Sequence, residues 1–154
     1  MLPLTDRPAY SYRNNASIPP FDDSGPIAFM DGDCALCSRT ARLIVRLDRR
    51  QEFKICPTRT EIGQAVLYHY GLDPGDTESW LYLAEGRAYG SMDAVIRVGA
   101  RLGGLGWALQ GLRALPRSLQ DWLYRRIARN RYSLFGRTDI CALPDPQLRS
   151  RLME

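Results

Sequence analysis

A short apolar run that leads into two closely spaced cysteines is the strongest constraint on the fold of this chain. Residues 26–30 are apolar and bounded by glycines, which is typical of a buried strand rather than a helix. Residues 38–50 carry apolar side chains at helical spacing with arginines between them, which predicts an amphipathic helix. Cys34 and Cys37 therefore lie where a buried strand passes into a helix.

The position of these cysteines at a helix start predicts dithiol chemistry. A thiol reacts as the thiolate, and the free N–H groups of a helix N-terminus lower a cysteine pKa from about 8.5 to roughly 3.5 to 7.5. Cys34 lies where that field is strongest and is the predicted attacking sulfur. Cys37, one turn further along, is the predicted resolving sulfur that closes the disulfide. The alternative is a buried structural pair.

Two acidic residues and a glycine shape the turn before the cysteines. Asp31 could exchange a proton with Cys37, because a partly buried carboxylate beside a dithiol can titrate near neutral pH. It could equally hydrogen-bond the amides of the turn. Asp33 is predicted as the helix N-cap, where its charge would oppose thiolate formation. Gly32 is predicted to give the turn a positive φ.

The remaining segments predict a mixed α/β domain. Further strands are expected at 52–56, 79–84 and 87–89, and further helices at 59–70 and 92–102. The dipeptide at 85–86 predicts a two-residue antiparallel hairpin, and Ser91 is the expected N-cap of the helix that follows. The order is then βαβαββα, the arrangement of a thioredoxin-like α/β fold, in which such a cysteine pair is typical of redox proteins.

Length and cysteine usage suit a single domain in a reducing compartment. We expect residues 1–25, with their prolines and asparagines, to form a flexible N-terminal arm, and residues 26–154 to form the domain. Four cysteines with one close pair do not resemble the framework of a small secreted protein, and the first 25 residues lack the apolar core of a signal peptide. A cytoplasmic location is therefore predicted.

A basic helical extension is predicted after the core. Helices are expected at 107–115 and 119–128, with an irregular tail from residue 130. From Arg113 to Arg137 the charged residues are arginines apart from Asp121, so this surface could meet an acidic partner or an anionic surface. Nucleic acid is not expected, because the helical spacing of the aromatic residues, Trp107 and Trp122 among them, predicts core packing.

Three separated motifs carry a resemblance to a known family. Residues 31–37 read Asp-Gly-Asp-Cys-Ala-Leu-Cys, and residues 90–94 read Gly-Ser-Met-Asp-Ala. Residues 124–136 run from a Tyr through an Ala to Arg-Tyr-Ser-Leu-Phe-Gly. In this order they resemble the DCC family of predicted thiol-disulfide oxidoreductases, a domain of unknown function named for its Asp and two Cys. The resemblance implies a thioredoxin-like fold with a dithiol site at Cys34 and Cys37.

The chain departs from the family pattern at a few positions. Met30 replaces a usual aromatic residue and Ala35 a frequent proline, and neither change removes a reactive group. Thioredoxin-like enzymes place a cis-proline before the third strand, where its exposed backbone binds the substrate chain. Residues 77–79 here read Thr-Glu-Ser, and Pro74 lies further back.

The predicted function is that of a protein-disulfide reductase with Cys34, Cys37 and Asp31 as site residues. Its substrate would be a protein or small-molecule disulfide, no bound cofactor is required, and an external reductant would reset the pair. One alternative is a non-enzymatic adaptor that presents the basic helical surface. The other is a structural zinc site built from the cysteines and His69, although such sites usually have two close ligand pairs and this chain has one.

Overall fold

The computed structural model describes residues 4–76 and 79–153, and its centre is a four-stranded mixed sheet. The strands are β1 (Ile27–Met30), β2 (Lys54–Pro57), β3 (Leu81–Ala84) and β4 (Arg87–Tyr89). Their order in the sheet is β2-β1-β3-β4. β1 pairs in parallel with β2 and antiparallel with β3, and β3 pairs antiparallel with β4.

The helices follow the predicted order and continue beyond it. They are α1 (Ala35–Leu47), α2 (Glu61–His69), α3 (Ser91–Leu102), α4 (Arg117–Phe135) and α5 (Pro146–Arg149). Short 3₁₀ segments occupy Leu4–Asp6, Ser11–Asn14 and Ile140–Ala142, and a longer one spans Gly104–Ala114. The βαβαββα order of a thioredoxin-like α/β fold is confirmed.

Both faces of the sheet are covered, which explains the unbroken apolar run of β1. Ala28 and Met30 belong to a core shared with α1 and α3, whereas Ile27 and Phe29 belong to a core shared with α2. All four side chains are buried. A strand buried on both faces has no polar alternation.

The alternation predicted for 52–56 is confirmed for 52–55, where residues 53 and 55 are buried and residues 52 and 54 are partly exposed. Cys56 is buried as well, on the opposite face under α2. The end of the chain covers the outer edge of β2: the amide of Ile55 donates to the carbonyl of Arg151 (2.8 Å), and the amide of Met153 donates to the carbonyl of Ile55 (2.8 Å). The predicted irregular tail therefore contains a segment that closes the sheet edge, where unpaired backbone groups would otherwise remain.

The helical extension also differs from its prediction. α4 continues to Phe135, well past the expected end at 128, because the first residue there that favours termination is Gly136, with φ of 80°. The segment predicted as a helix at 107–115 is a 3₁₀ stretch instead. It packs closely on α3: a Cβ on Gly106 would lie 2.6 Å from the carbonyl oxygen of Gly99.

The hairpin prediction is confirmed, and the N-terminal segment contacts it. Glu85 and Gly86 have φ of 53° and 77°, as a two-residue turn requires. The amide of Tyr10 donates to the carbonyl of Gly86 (2.8 Å), and Tyr12 is buried against the sheet. The flexibility and domain boundary predicted for residues 1–25 stay predictions.

The start of α3 is not capped as expected. Its N-cap is Gly90, and Ser91 is the first helical residue, with φ of 55° and no capping side-chain bond. Residues 77 and 78, which stand in the stretch where a cis-proline is usual, lie outside the described residues.

Candidate dithiol site

The two cysteines lie at the N-terminus of α1, and Cys34 itself is the N-cap. Its backbone is extended (φ −91°, ψ 123°), and its Sγ accepts a hydrogen bond from the amide of Cys37 at 3.4 Å. The N-cap predicted at Asp33 is therefore wrong by one residue. The carboxylate of Asp33 points instead to Arg59, whose Nη1 lies 2.7 Å from Oδ1. This ion pair offsets the negative charge that was expected to oppose thiolate formation.

The electrostatics of the pair favour a thiolate on Cys34 and a thiol on Cys37. A hydrogen bond from Cys37, helped by backbone amides and the charge of Arg131, outweighs burial and lowers the pKa of Cys34 to about 6. The hydrogen bond to Cys34 and burial raise the pKa of Cys37 well above its ordinary value. At neutral pH the pair therefore carries one negative charge, and this charge lies on the Cys34 sulfur.

A buried arginine from α4 completes the site. The side chain of Arg131 is only 7% exposed; its Nη2 donates to Asp31 Oδ2 at 2.8 Å, and its Nη1 lies 3.5 Å from Cys37 Sγ. Burial alone would lower the pKa of Arg131, but the charges of Cys37, Asp31 and Cys34 raise it above its ordinary value. The guanidinium therefore stays charged beside the thiolate. It was visible in the sequence only as the Arg of the third motif, with no role attached.

Asp31 bonds to both the turn and α4. Its Oδ1 accepts the amide of Asp33 at 2.8 Å, which is the turn-stabilising role considered from the sequence. Its Oδ2 accepts from Arg131 and from the hydroxyl of Tyr132. Burial and this carboxylate raise the pKa of Tyr132 to about 12. Asp31 also contributes to the raised pKa of Cys37, so it acts on the dithiol at least through its charge.

The exposure of the two sulfurs does not match their predicted roles. Cys34, the predicted attacking sulfur, is 0% exposed. Cys37 is partly exposed and lines a cavity of about 200 Å³. The walls of this cavity are largely apolar and include Trp80, Met92 and Ile127.

Gly32 is needed for close packing rather than for a positive φ. The φ angle of Gly32 is not positive. A Cβ at this position would lie 3.2 Å from Ile140 Cγ2 and 3.3 Å from Pro57 Cβ. The carbonyl of Gly32 also accepts the amide of Ile140 at 2.7 Å. The turn before the cysteines is therefore in direct contact with the segment after α4.

The other candidate ligands are not brought together. Cys56 is buried under α2, and burial raises the pKa of its thiol to about 11. His69 contacts Ser11 and Asn15 through its two ring nitrogens. The side chain of Cys141 lies outside the description. Within residues 4–76 and 79–153, no three His, Cys, Asp or Glu side chains form a group that could hold a metal ion.

The aromatic residues of the extension do not all pack in the core. Trp107 is 63% exposed and Trp122 is 60% exposed, so the core packing predicted for them is wrong. Helical spacing shows that side chains share a face but not what covers that face. Tyr124, by contrast, lines the cavity beside Cys37, and Tyr132 bonds to Asp31. None of the described helices has the length and apolar character needed to cross a membrane.

Comparisons with known proteins agree with this geometry. The family model for DCC1-like thiol-disulfide oxidoreductases matches residues 28–137. Uncharacterized protein YuxK of Bacillus subtilis (strain 168) is 31% identical over 128 residues, which is 82% of this chain and 93% of that protein. The chloroplastic DCC family protein At1g52590 of Arabidopsis thaliana is 30% identical over 126 residues, 79% of this chain and 72% of that protein.

No solved structure matches the chain. The family match nevertheless includes most of the strand before the dithiol, the dithiol itself and the whole of α4. It thus includes Asp31, Arg131 and both sulfurs. The chain belongs to the DCC1-like thiol-disulfide oxidoreductase family.

Proposed function

We propose that this protein is a protein-disulfide reductase that works through Cys34 and Cys37. One observation carries the proposal: the Cys34 sulfur accepts the Cys37 amide at a helix start, and a buried Arg131 lies beside the pair. This arrangement supports a thiolate on one sulfur and a proton on the other at neutral pH. Both forms are needed for a two-step exchange.

The proposed reaction has two steps. The Cys34 thiolate attacks one sulfur of a substrate disulfide, so a mixed disulfide forms and the second substrate sulfur leaves as a thiolate that takes a proton. Cys37 then loses its proton and attacks the Cys34 sulfur, which releases the first substrate sulfur as a thiol. The substrate gains two electrons and two protons, and the protein holds a Cys34–Cys37 disulfide. An external thiol reductant returns the pair to the dithiol.

Three neighbouring groups are assigned supporting roles. Arg131 holds negative charge on whichever sulfur is ionised, since its Nη1 lies 3.5 Å from Cys37 Sγ. Asp31 is proposed to take the proton that Cys37 gives up in the second step. Tyr132 and Arg131 both bond to Asp31 Oδ2 and hold that carboxylate beside the pair.

The compartment and the partner of the protein are proposed from its cysteine pattern and its charged surface. The absence of a disulfide-rich cysteine pattern favours a reducing compartment, and the cytoplasm is the proposed location. An acidic partner is proposed for the surface from Arg113 to Arg137, because this segment is rich in arginine and carries the exposed Trp122. An adaptor that used only this surface would not need either sulfur.

Reduction of insulin by an excess of a small thiol tests the proposal. The wild type should accelerate reduction, and Cys34→Ser should abolish the acceleration. In a separate incubation without the small thiol, Cys37→Ser should instead accumulate a mixed disulfide with insulin, visible as a larger species on non-reducing electrophoresis. Cys56→Ala is the matched control, because this buried cysteine takes no part in the exchange. Equal rates for the wild type and Cys34→Ser would favour the adaptor.

A further inference from the structure

We infer that residues 136–140, called the strap below, occupy the binding site of an extended substrate polypeptide whose reacting cysteine takes the position of Arg137, opposite Cys34. This inference rests on the proposed exchange and names its substrate class. Cys34 carries the predicted attacking sulfur, yet it is 0% exposed.

The strap covers Cys34 by pairing with its backbone as an antiparallel strand would. The amide of Ala35 donates to the carbonyl of Gly136 at 3.2 Å. The amide of Thr138 donates to the carbonyl of Asp33 at 2.9 Å. These two bonds flank an antiparallel bridge between Cys34 and Arg137. Cys34 and Arg137 therefore form a non-hydrogen-bonded pair, the kind in which facing side chains lie closest.

This register suits a disulfide. In a non-hydrogen-bonded antiparallel pair the Cα atoms are about 4.5 Å apart, within the range of about 4.4 to 6.8 Å that disulfides span. A cysteine in the place of Arg137 would have its Cβ directed to the same side as that of Cys34. A substrate strand with this register would thus bring its sulfur to Cys34 with little adjustment of either backbone.

The middle of the strap is held in a way that permits exchange for another strand. Arg137 is exposed, and its guanidinium stacks on the ring of Tyr132 at 4.4 Å. The far end is anchored more firmly, because Ile140 is fully buried and its amide donates to Gly32. A strand that replaced residues 136–138 would recover the same backbone bonds to Asp33 and Ala35.

The chemistry of these bonds selects the substrate class. An extended polypeptide has amides and carbonyls with which to replace those of the strap, whereas a small disulfide without peptide bonds, such as bis(2-hydroxyethyl) disulfide, has neither. Opening the strap for a small disulfide leaves the carbonyl of Asp33 and the amide of Ala35 without protein partners. The site is therefore specific for disulfides within extended chain segments.

An engineered crosslink tests the register. Arg137→Cys is made in a background of Cys37→Ser, Cys56→Ala and Cys141→Ser and is oxidised with diamide. A bond between positions 34 and 137, located by peptide mapping without reductant, is expected. The matched control is Thr138→Cys, because neighbouring side chains on a strand point to opposite faces. Equal crosslinking at 137 and 138 would overturn the register.

Loosening the strap tests the covering role independently of turnover. Thr138→Pro removes the N–H that donates to Asp33, and Thr138→Ala keeps it. Iodoacetamide should modify Cys34 at least about fivefold faster in Thr138→Pro, since one backbone bond changes an opening equilibrium by about that factor. Equal rates in both variants would overturn the covering role. If the proline variant does not fold, the crosslink between positions 34 and 137 is the test of whether the strap lies over Cys34.

Turnover tests the substrate class. The wild type should show a larger kcat/KM on insulin than on bis(2-hydroxyethyl) disulfide, which has no peptide groups, and Thr138→Pro should reduce the ratio of the two values. Comparable values on both substrates in the wild type would overturn the substrate class while leaving the exchange itself intact. Absence of turnover on either, together with faster alkylation in Thr138→Pro, would refute the exchange and leave the strap as a cover over Cys34.

Discussion

Replacement of Arg131 by Met should raise the pKa of the Cys34 thiol. The guanidinium lies 3.5 Å from Cys37 Sγ and contributes to lowering the pKa of Cys34 to about 6. Methionine is an unbranched apolar side chain that fills part of the same space, while the positive charge is lost. Both sulfurs then lose the cation that stabilises their ionised forms.

The size of the shift follows from the geometry. Arg131 lowers the pKa of Cys34 through its charge rather than through a hydrogen bond. Two unit charges about 6 Å apart, the separation assumed for this pair, interact by about 3 kcal/mol at an effective dielectric constant of about 20. Since about 1.4 kcal/mol corresponds to one pKa unit, we expect a rise of about one to two units, to between about 7 and 8.

Ultraviolet absorbance of the thiolate, measured against pH, reports this pKa without any need for access to the sulfur. The difference between each variant and its Cys34→Ser partner isolates the contribution of Cys34. Arg129→Met is the matched control, because this exposed arginine lies on the same helix two residues earlier. Its midpoint should equal that of the wild type.

A second variant separates electrostatics from loss of structure. Arg131→Met leaves Asp31 without its cation, so Asp31→Asn/Arg131→Met removes both charges and should show a smaller rise in the midpoint. Thermal unfolding of each variant identifies any loss of the fold. A midpoint in Arg131→Met that equals that of Arg129→Met, in folded protein, would refute the assignment of Arg131 to the thiolate.

Three further results are expected. The reduced protein should gain stability as pH rises from 6 towards 8, because the pKa of Cys34 is lowered from 9.0 to about 6 in the folded state; the gain over Cys34→Ser, read from urea unfolding, should be about 2 to 3 kcal/mol, and equal pH slopes would contradict it. Gly32→Ala should lower the free energy of unfolding by about 1 to 3 kcal/mol, because its Cβ enters occupied space, and an unchanged urea midpoint would argue against that packing. Arg151→Ala should lower the free energy of unfolding, measured in urea, by about 3 kcal/mol, because the nearly buried carboxylate of Asp48 loses its cation. Arg149 is exposed, so Arg149→Ala should change this free energy little, and equal losses in both variants would contradict the prediction.

The parts of the fold that were predicted correctly depend on short stretches of sequence. The βαβαββα order follows from local periodicity, and the hairpin follows from the two turn residues at 85–86. Cys34 and Cys37 are three residues apart, so their meeting at a helix start is also a local matter. A glycine in a turn can be required by a positive φ or by close packing, and the sequence alone does not distinguish the two. Gly32 was assigned a positive φ, whereas its actual constraint is the close approach of Ile140 and Pro57.

The missing parts of the site depend on contacts across the chain. Arg131 is 94 residues from Cys37, and an arginine in a basic helical stretch is ordinarily a solvated residue. Its burial requires that α4 extend past the predicted end at 128, a boundary that local pattern locates only roughly. The same extension carries the chain through Gly136 to the strap over Cys34.

The arginine buried in α4 and the strap that follows α4 have opposite effects on the reactivity of the Cys34 sulfur. Arg131, within α4, favours the thiolate of Cys34, whereas the strap that follows α4 keeps that thiolate from solvent. A low pKa makes a sulfur reactive towards any oxidant that reaches it, so charge alone would leave Cys34 open to uncontrolled oxidation. Covering it with residues that a substrate strand can replace confines the reactivity to segments that pair correctly. Reactivity and access are then set by adjacent residues of one segment, and either can be changed without the other: Arg131→Met alters the pKa, and Thr138→Pro alters the exposure.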